Sequence, residues 1–510
     1  MPTKAARRFP ALLRGKALAG WRWPFVVVGA AGLYVVLAPS TTPVTPLGMY
    51  NEKRLFQVAL LGVSAISLLS SRSTRQRWLS MFWAFPRPAR LGLLLVLGLG
   101  LFSALSAPAP LYAALEVGHF VLLFFLAGII ATVYRQFPTS TSALVLGAVV
   151  LSAFLYVVHF SVSYRMSVAL PALEIGAETL GGFGNVRFFN QYQTWTLPLL
   201  AVPVLALSRR WDLVRAGTFL LLVTWWTLVL ASNVRGTVLA MTVAVLGVGL
   251  LFRRRALKWV GVQGAALLAG IGLYYLLFST GGAESAPVAG RVDETVGYSR
   301  RIRHWMICLD MAMAHPWLGA GPMHFAWPPI NFKWVAHPHN ALMQWIGEWG
   351  IPSTLILLGL ACWGGWCWIR QEVKNPERTT DDTDALQVGL VAAALAGLAH
   401  AMVSGIIVMP VSQVLFAMVG GWAWGRYQRD SRAFSKEGSS TWAHALLCAV
   451  LVASMFAVGN SLQDLADAEE RRAAYRENAD RDLMSPRYWA QGYIGVRDSS
   501  VVQRARREME

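Results

Sequence analysis

Apolar stretches, each close to the length needed to cross a bilayer, recur along almost the whole chain. A span needs about 20 mostly apolar residues, and in hydrocarbon every backbone polar group must be satisfied internally, so helices are the expected element. Thirteen such stretches fall near residues 24–39, 55–70, 91–106, 111–133, 143–162, 193–207, 217–232, 236–252, 259–278, 352–369, 386–404, 408–425 and 442–460. The sequence therefore predicts an all-α, polytopic transmembrane helix bundle of about 12–13 spans, with a large loop that contains short amphipathic helices. A composition of 55% hydrophobic and 14% charged residues excludes an ordinary water-soluble globule.

The net charge of +18 would suggest nucleic acid in a soluble protein, but its placement gives another reading. With the N-terminus inside, the basic groups Lys4, Arg7, Arg8, Arg14, Lys16 and Arg22, then Arg72, Arg75, Arg77, Arg87 and Arg90, then Arg253, Arg254, Arg255 and Lys258 all fall on the cytoplasmic side. That is the positive-inside asymmetry of a membrane protein. Membrane lipids, and no nucleic acid, are the expected partners. The first span lacks a small-residue cleavage site and is expected to stay. Cys308, Cys362, Cys367 and Cys448 mostly sit in or beside spans without ligand spacing, which supports neither a disulfide framework nor a zinc site.

In this topology residues 1–460 form the bundle, with outward loops at 163–192 and 279–350, and residues 461–510 form an outward helical tail. Arg370 to Asp384 reads as a solvated cytoplasmic connector. The long loop opens with a Gly, Ala and Pro-rich stretch, Gly281 to Gly290, and turns helical around Ser299 to Ala314. Trp305, Leu309 and Ala312 recur there at helical spacing, as in an interfacial amphipathic helix. Pro316, Gly319, Gly321, Pro322, Pro328 and Pro329 then break regular structure. The interleaved Trp317, Phe325, Trp327, Phe332 and Trp334 read as interface anchors, with sugar stacking as the alternative. Asp464, Asp467, Glu469 and Glu470 open a tail that reads as a solvated appendage with a structural or docking role.

An outward loop meets a compartment that normally lacks nucleoside triphosphates, so activated donors there are lipid-linked. Transfer from one needs cations for a pyrophosphate and a base for the acceptor hydroxyl. Arg187, in Gly181-Gly-Phe-Gly-Asn-Val-Arg-Phe-Phe-Asn-Gln-Tyr-Gln193, can grip phosphate oxygens bidentately; the alternative is a snorkelling arginine at a span end. Arg300, Arg301 and Arg303, followed by His304 and Trp305, place three guanidiniums at the start of the amphipathic helix, where anions are favoured; anionic lipid headgroups are the competing partner. Arg235, in Ser232-Asn-Val-Arg-Gly236, is a weaker third position that can instead pair with a carboxylate. His337 and His339, in His-Pro-His-Asn340 ahead of a helix over Ala341 to Trp349, are the base candidates, because imidazole titrates near neutrality. Glu348 and Glu174 are alternative bases or histidine partners, and Asp293 and Glu294 neutralise the arginines. Glu116, His119, His159 and His400 fall inside spans and keep a transporter reading open.

The pattern resembles the O-antigen ligase and O-antigen polymerase superfamily of membrane glycosyltransferases. Its ligase form, His-[Asn/Ser/Gln]-x9-Gly-x-x-Gly-Thr, is matched by His339-Asn340, nine residues, and Gly350-Ile351-Pro352-Ser353-Thr354, with Ser353 in place of a family glycine. Arg301-Ile302-Arg303-His304-Trp305 matches the family's Arg-aliphatic-x-x-Trp, and Pro316-Trp-Leu-Gly-Ala-Gly321 and the loop residue Arg187 follow it too. The resemblance implies an undecaprenyl-pyrophosphate-linked glycan donor, with Arg187 and Arg301 on the pyrophosphate and His339 activating the acceptor. Arg300, Arg303, Arg235, His337, Asn340 and Trp305 are the expected further substrate contacts. It implies an inverting transfer without metal or cofactor, at the periplasmic face of the bacterial inner membrane, with the N-terminus cytoplasmic. Lipid A core is the favoured acceptor; another lipid-linked glycan or a protein hydroxyl is the alternative, and a lipid-linked glycan transporter is the rival class.

Overall fold

The computed structural model describes residues 21–39, 45–169, 180–278, 294–331, 335–374, 381–429, 440–466 and 486–495. Its helices are α1 (Arg22–Leu37), α2 (Gly48–Ser70), α3 (Arg72–Trp83), α4 (Arg87–Ser106), α5 (Pro110–Gln136), α6 (Pro138–Ala169), α7 (Val186–Ala206) and α8 (Asp212–Ala231). There follow α9 (Arg235–Phe252), α10 (Leu257–Phe278), α11 (Glu294–Ala314), α12 (Ala341–Lys374), α13 (Asp381–Ala401), α14 (Pro410–Tyr427), α15 (Thr441–Asn460) and α16 (Leu462–Ala466). Each of the thirteen apolar stretches corresponds to one of these helices; α3, α11 and α16 lie outside them. Among the described residues nine helical runs are long and apolar enough to cross a membrane, with α9 and α10 forming one run, Arg235–Phe278. The chain is an all-helical, polytopic membrane bundle.

Two helices organise the interior. α5 packs against α1, α2, α3, α4, α14 and α15, and α7 against α8, α9 and α13. Lipid tails are as apolar as leucine, so helices in a bilayer associate through close packing and hydrogen bonds. Accordingly Gly421 of α14 presses on the Ala127 carbonyl of α5, and a Cβ at Gly425 would lie 2.7 Å from the Ala131 oxygen. α7 carries a buried polar face instead. Asn190 donates to Gln193 at 2.7 Å and to Ser232 at 2.8 Å, and Thr194 shares hydrogen bonds with Thr237 at 2.9 Å and His400 at 2.6 Å. Those residues lower the apolarity of α7 and tie it to α8, α9 and α13.

At the end of the bundle away from the long loop, charges are paired and buried or half-buried. Arg426 holds both oxygens of Glu372, at 2.9 and 2.8 Å, and donates to Tyr134 at 3.1 Å. Arg255 binds Asp384 at 2.7 Å. The expectation of a solvated connector over Arg370 to Asp384 is thus corrected at both ends: α12 runs to Lys374, α13 begins at Asp381, and Glu372 and Asp384 are ion-pair partners. A carboxylate taken out of water needs such a partner.

Candidate active site

The long loop is fastened to a break in α12. Gly350 has φ +80 inside that helix, a left-handed conformation open to glycine, and the strand of loop from Pro316 to Gly321 lies against the break. Ala320 N–H donates to the Gly347 carbonyl at 2.9 Å, Gly321 N–H to Glu348 at 3.1 Å, and Ile351 N–H to Pro316 at 3.0 Å. These bonds satisfy backbone groups freed by the kink. A Cβ at Gly350 would lie 2.6 Å from the Trp317 oxygen, and one at Gly319 2.5 Å from the Glu348 oxygen. The two family-like glycine motifs are therefore the two sides of one joint. Where the chain carries Ser353 instead of a family glycine, its hydroxyl accepts from Trp345 Nε1 at 3.2 Å.

Beyond the joint the loop folds back under α11. His324 donates from Nδ1 to the Pro322 carbonyl at 2.9 Å and accepts the Ala109 N–H on Nε2 at 3.0 Å, which fixes its neutral tautomer. Burial lowers its pKa to about 4. Cys308, Met311, Ala320 and Phe325 form a small apolar cluster, and a Cβ at Gly347 would meet the Cys308 carbonyl at 2.9 Å. The buried face of α11 is His304, Cys308, Met311 and Ala312, whereas Leu309 is 37% exposed. The expected stripe of Trp305, Leu309 and Ala312 is thus rotated by about one position. The helix also starts at Glu294, so Arg301 and Arg303 lie about two turns inside it and gain nothing from its N-terminus. Both are exposed, and Trp305 is half-buried.

His337 and His339 meet at the top of this scaffold. Their ring centroids are 4.3 Å apart, and His304 reaches to 6.3 Å of His339. His339 has φ +56, a strained conformation for a residue with a side chain. It is half-buried, while His337 is buried with Nε2 pressed on Gly405. Burial pushes the pKa of His339 well below the usual 6.5, helped by the neighbouring His337, Arg187, His304 and Arg301. Burial likewise lowers His337, to about 3, with Arg487 the next contributor. Arg187, Arg301, His337 and His304 thus all lie within electrostatic reach of His339.

Arg187 is exposed in the first turn of α7, whose N-cap Asn185 accepts the Arg187 N–H at 2.9 Å. Here the guanidinium does coincide with a helix N-terminus, a place that favours anions. Arg235 is exposed at the first residue of α9, and a Cβ at the adjacent Gly236 would lie 2.5 Å from His400 Nε2. Asn340 serves the fold, because its Oδ1 accepts the Met343 N–H at 3.0 Å and so caps α12. The side chain of Arg300, with Glu174, Asp293, Phe332 and Trp334, lies outside the described residues.

Among the described carboxylates, those nearest the loop are engaged in the scaffold. Glu348 is fully buried, accepts the Phe325 N–H at 3.0 Å, and shares Arg487 with Glu116. His119 is bonded to Gln413 at 2.9 Å and lies against Tyr488 at 3.2 Å. His159 is half-buried beside Ser163. The tail, read as a solvated appendage, is corrected for residues 486–495: Arg487, Tyr488, Trp489, Tyr493 and Ile494 are all buried. Its one legible signal was the aromatic run Arg487-Tyr-Trp-Ala-Gln-Gly-Tyr-Ile494 in an otherwise charged stretch. Gly405 had no signal, since only the fold brings it to His337.

Residues 218–358 match the family model for O-antigen ligase. The match supports the O-antigen ligase superfamily. It runs from α8 into α12 and takes in Arg235, Arg301, His337, His339, Asn340 and the Gly350 joint, while Arg187 and Arg487 lie outside it. In general terms an O-antigen ligase match carries a glycosyltransferase-like activity, a lipid-linked glycan and an acceptor as partners, and a membrane setting. No curated protein matches the chain.

Proposed function

We propose that the chain is an inverting O-antigen ligase, moving glycan from undecaprenyl pyrophosphate to a hydroxyl of lipid A core at the periplasmic face of the inner membrane. The observation that carries this reading is the convergence of a strained, half-buried histidine with two arginines from separate elements, Arg187 and Arg301. His339 takes the proton of the acceptor hydroxyl, and the hydroxyl oxygen attacks the anomeric carbon. The bond from that carbon to the pyrophosphate oxygen breaks, its electrons leaving with undecaprenyl pyrophosphate. Arg187 and Arg301 neutralise the charge that develops on the leaving group, so no acid has to protonate it.

The depressed basicity of His339 fits this order of events. In the free site burial first, and then the surrounding cations, keep it neutral. Donor pyrophosphate between Arg187 and Arg301 cancels part of that charge and raises the basicity of His339 as the reaction requires. Arg303, Arg235 and Trp305 are the further donor contacts of this reading, and His337 packs against His339.

The test uses cells lacking the protein, complemented with wild type, Arg187→Ala, Arg301→Ala or His339→Ala. The ligase reading expects the lipopolysaccharide ladder to vanish, lipid-linked glycan to accumulate, and only wild type to rescue. Loss of protein glycosylation with an intact ladder would reassign the acceptor to protein. Full rescue by all three variants would discard the catalytic assignment. A transporter would tolerate His339→Ala and fail on changes to Glu116 or His400, the reverse of the pattern expected here.

A further inference from the structure

Ten residues near the C-terminus pass through the middle of the scaffold just described. Arg487, with 2% exposure, sits between two acids: its Nη2 lies 2.8 Å from both oxygens of Glu116 on α5, and 2.9 and 2.6 Å from those of Glu348 on α12. Glu348 in turn receives the Phe325 N–H of the long loop. One guanidinium thus clamps α5, α12 and the loop together. A second buried guanidinium, Arg54 on α2, holds the next residue of the segment. It donates to the Tyr488 carbonyl at 2.9 Å and to Gln57 at 2.6 Å, and its plane lies over the Tyr488 ring at 4.7 Å.

The rest of the segment is fastened as closely. The Arg487 carbonyl accepts from Tyr50 at 3.0 Å, Ala490 N–H donates to Asn51 at 2.7 Å, and Trp489 Nε1 donates to the Ser461 carbonyl at 2.9 Å. Ile494 N–H donates to the Ala326 carbonyl at 3.1 Å, beside Phe325, and Gly495, at φ +71, packs directly on Trp327. Pro486, at the other end, lies with its carbonyl toward the His337 ring. The segment therefore touches the histidine loop, the turn at His324–Ala326 and the first turns of α2, all at the loop-bearing end.

We infer that Pro486–Gly495 is an internal strap of the active site, with Arg487 as a positioning residue that holds the long loop and His337 in register behind His339. The inference rests on the proposed transferase reading for its kinetic consequence, but not for its structural one. Sequence separation makes the point physical: Arg487 lies 371 residues from Glu116 and 139 from Glu348, so the clamp forms only when the chain end returns to the bundle.

Two full-length variants test it, Arg487→Met and Gly495→Ala. Arg487→Met removes the clamp at nearly constant length, and Gly495→Ala puts a methyl group into Trp327 at the far end of the strap. Two readouts are taken from the purified, folded protein: donor kinetics, and acylation of His337 by diethyl pyrocarbonate followed by peptide mass spectrometry. A positioning role predicts a kcat lower by about tenfold to a hundredfold with donor KM changed less than about threefold, because misplacement costs the transition state more than binding. It also predicts that His337, 3% exposed in the intact protein, becomes acylated in the variants at temperatures below their own unfolding transitions. His337 staying protected in both variants overturns the strap, whatever kcat does. If Arg487→Met does not fold, Gly495→Ala carries both readouts. The acylation result stands even if His339→Ala shows the transferase reading to be wrong, so the two failures are separable.

Discussion

At the residue scale, the environment of His339 predicts an unusual pH dependence. A group whose pKa is lowered stays unprotonated to lower pH, so the acid limb of kcat/KM, which reports the free enzyme, should fall well below the usual histidine value of 6.5. Bound pyrophosphate offsets Arg187 and Arg301 and moves the pKa back up, so the limb of kcat, which reports the complex, should lie at higher pH. Coincident limbs near 6.5 in both profiles would speak against cations surrounding the base. The arginines make a second prediction. A guanidinium grips two phosphate oxygens where an ammonium offers a point charge, so Arg301→Lys should recover little of the activity lost in Arg301→Ala. If Arg301 only attracted anionic lipid, lysine would restore most of it, and a transfer assay in detergent with defined lipid distinguishes the two.

At the element scale, the helices were legible and the joint was not. Thirteen apolar stretches are visible because a span must be apolar along its length, and each became a helix. α3 and α11 escape that signal since their polar faces interrupt it, and the stripe of α11 came out one position wrong because aromatic Trp305 is more conspicuous than His304 and Cys308, which are buried. The kink at Gly350 was present in the sequence only as a motif glycine. Its reason, the loop crossing at Trp317–Gly321, depends on a backbone meeting that no local pattern encodes. The prediction is that Gly350→Ala, with its Cβ 2.6 Å from the Trp317 oxygen and φ +80, destabilises the protein by about 1–3 kcal/mol. It should also abolish transfer by freeing the loop. Gly359→Ala, nine residues along the same helix with open space around it, should instead be neutral or stabilising by up to about 1 kcal/mol. Thermal unfolding of both variants in one detergent checks the pair; equal effects would mean that the kink is not held by the loop.

At the scale of the whole molecule, the described residues include two buried charge clamps, and they differ in what they hold. Arg487 joins Glu116 and Glu348 beneath the candidate site, whereas Arg426 joins Glu372 and Tyr134 at the opposite end. Glu116 and Tyr134 both lie on α5, about 27 Å apart at a rise of about 1.5 Å per residue. Removing one partner of a buried pair leaves the other desolvated and unpaired, at a cost of about 3–5 kcal/mol. The same loss should therefore read out differently at the two ends. Glu372→Gln is expected to lower stability by that order while leaving kcat of the folded fraction close to wild type, because Glu372 lies about 33 Å along α12 from the Gly350 joint at a rise of about 1.5 Å per residue. Arg487→Met is expected to lower kcat even in molecules that remain folded. Measuring the active fraction by unfolding and kcat on the same preparations separates the clamps. A drop in kcat for Glu372→Gln as large as that for Arg487→Met would show that the two ends move as one body and that the strap has no privileged hold on the histidines.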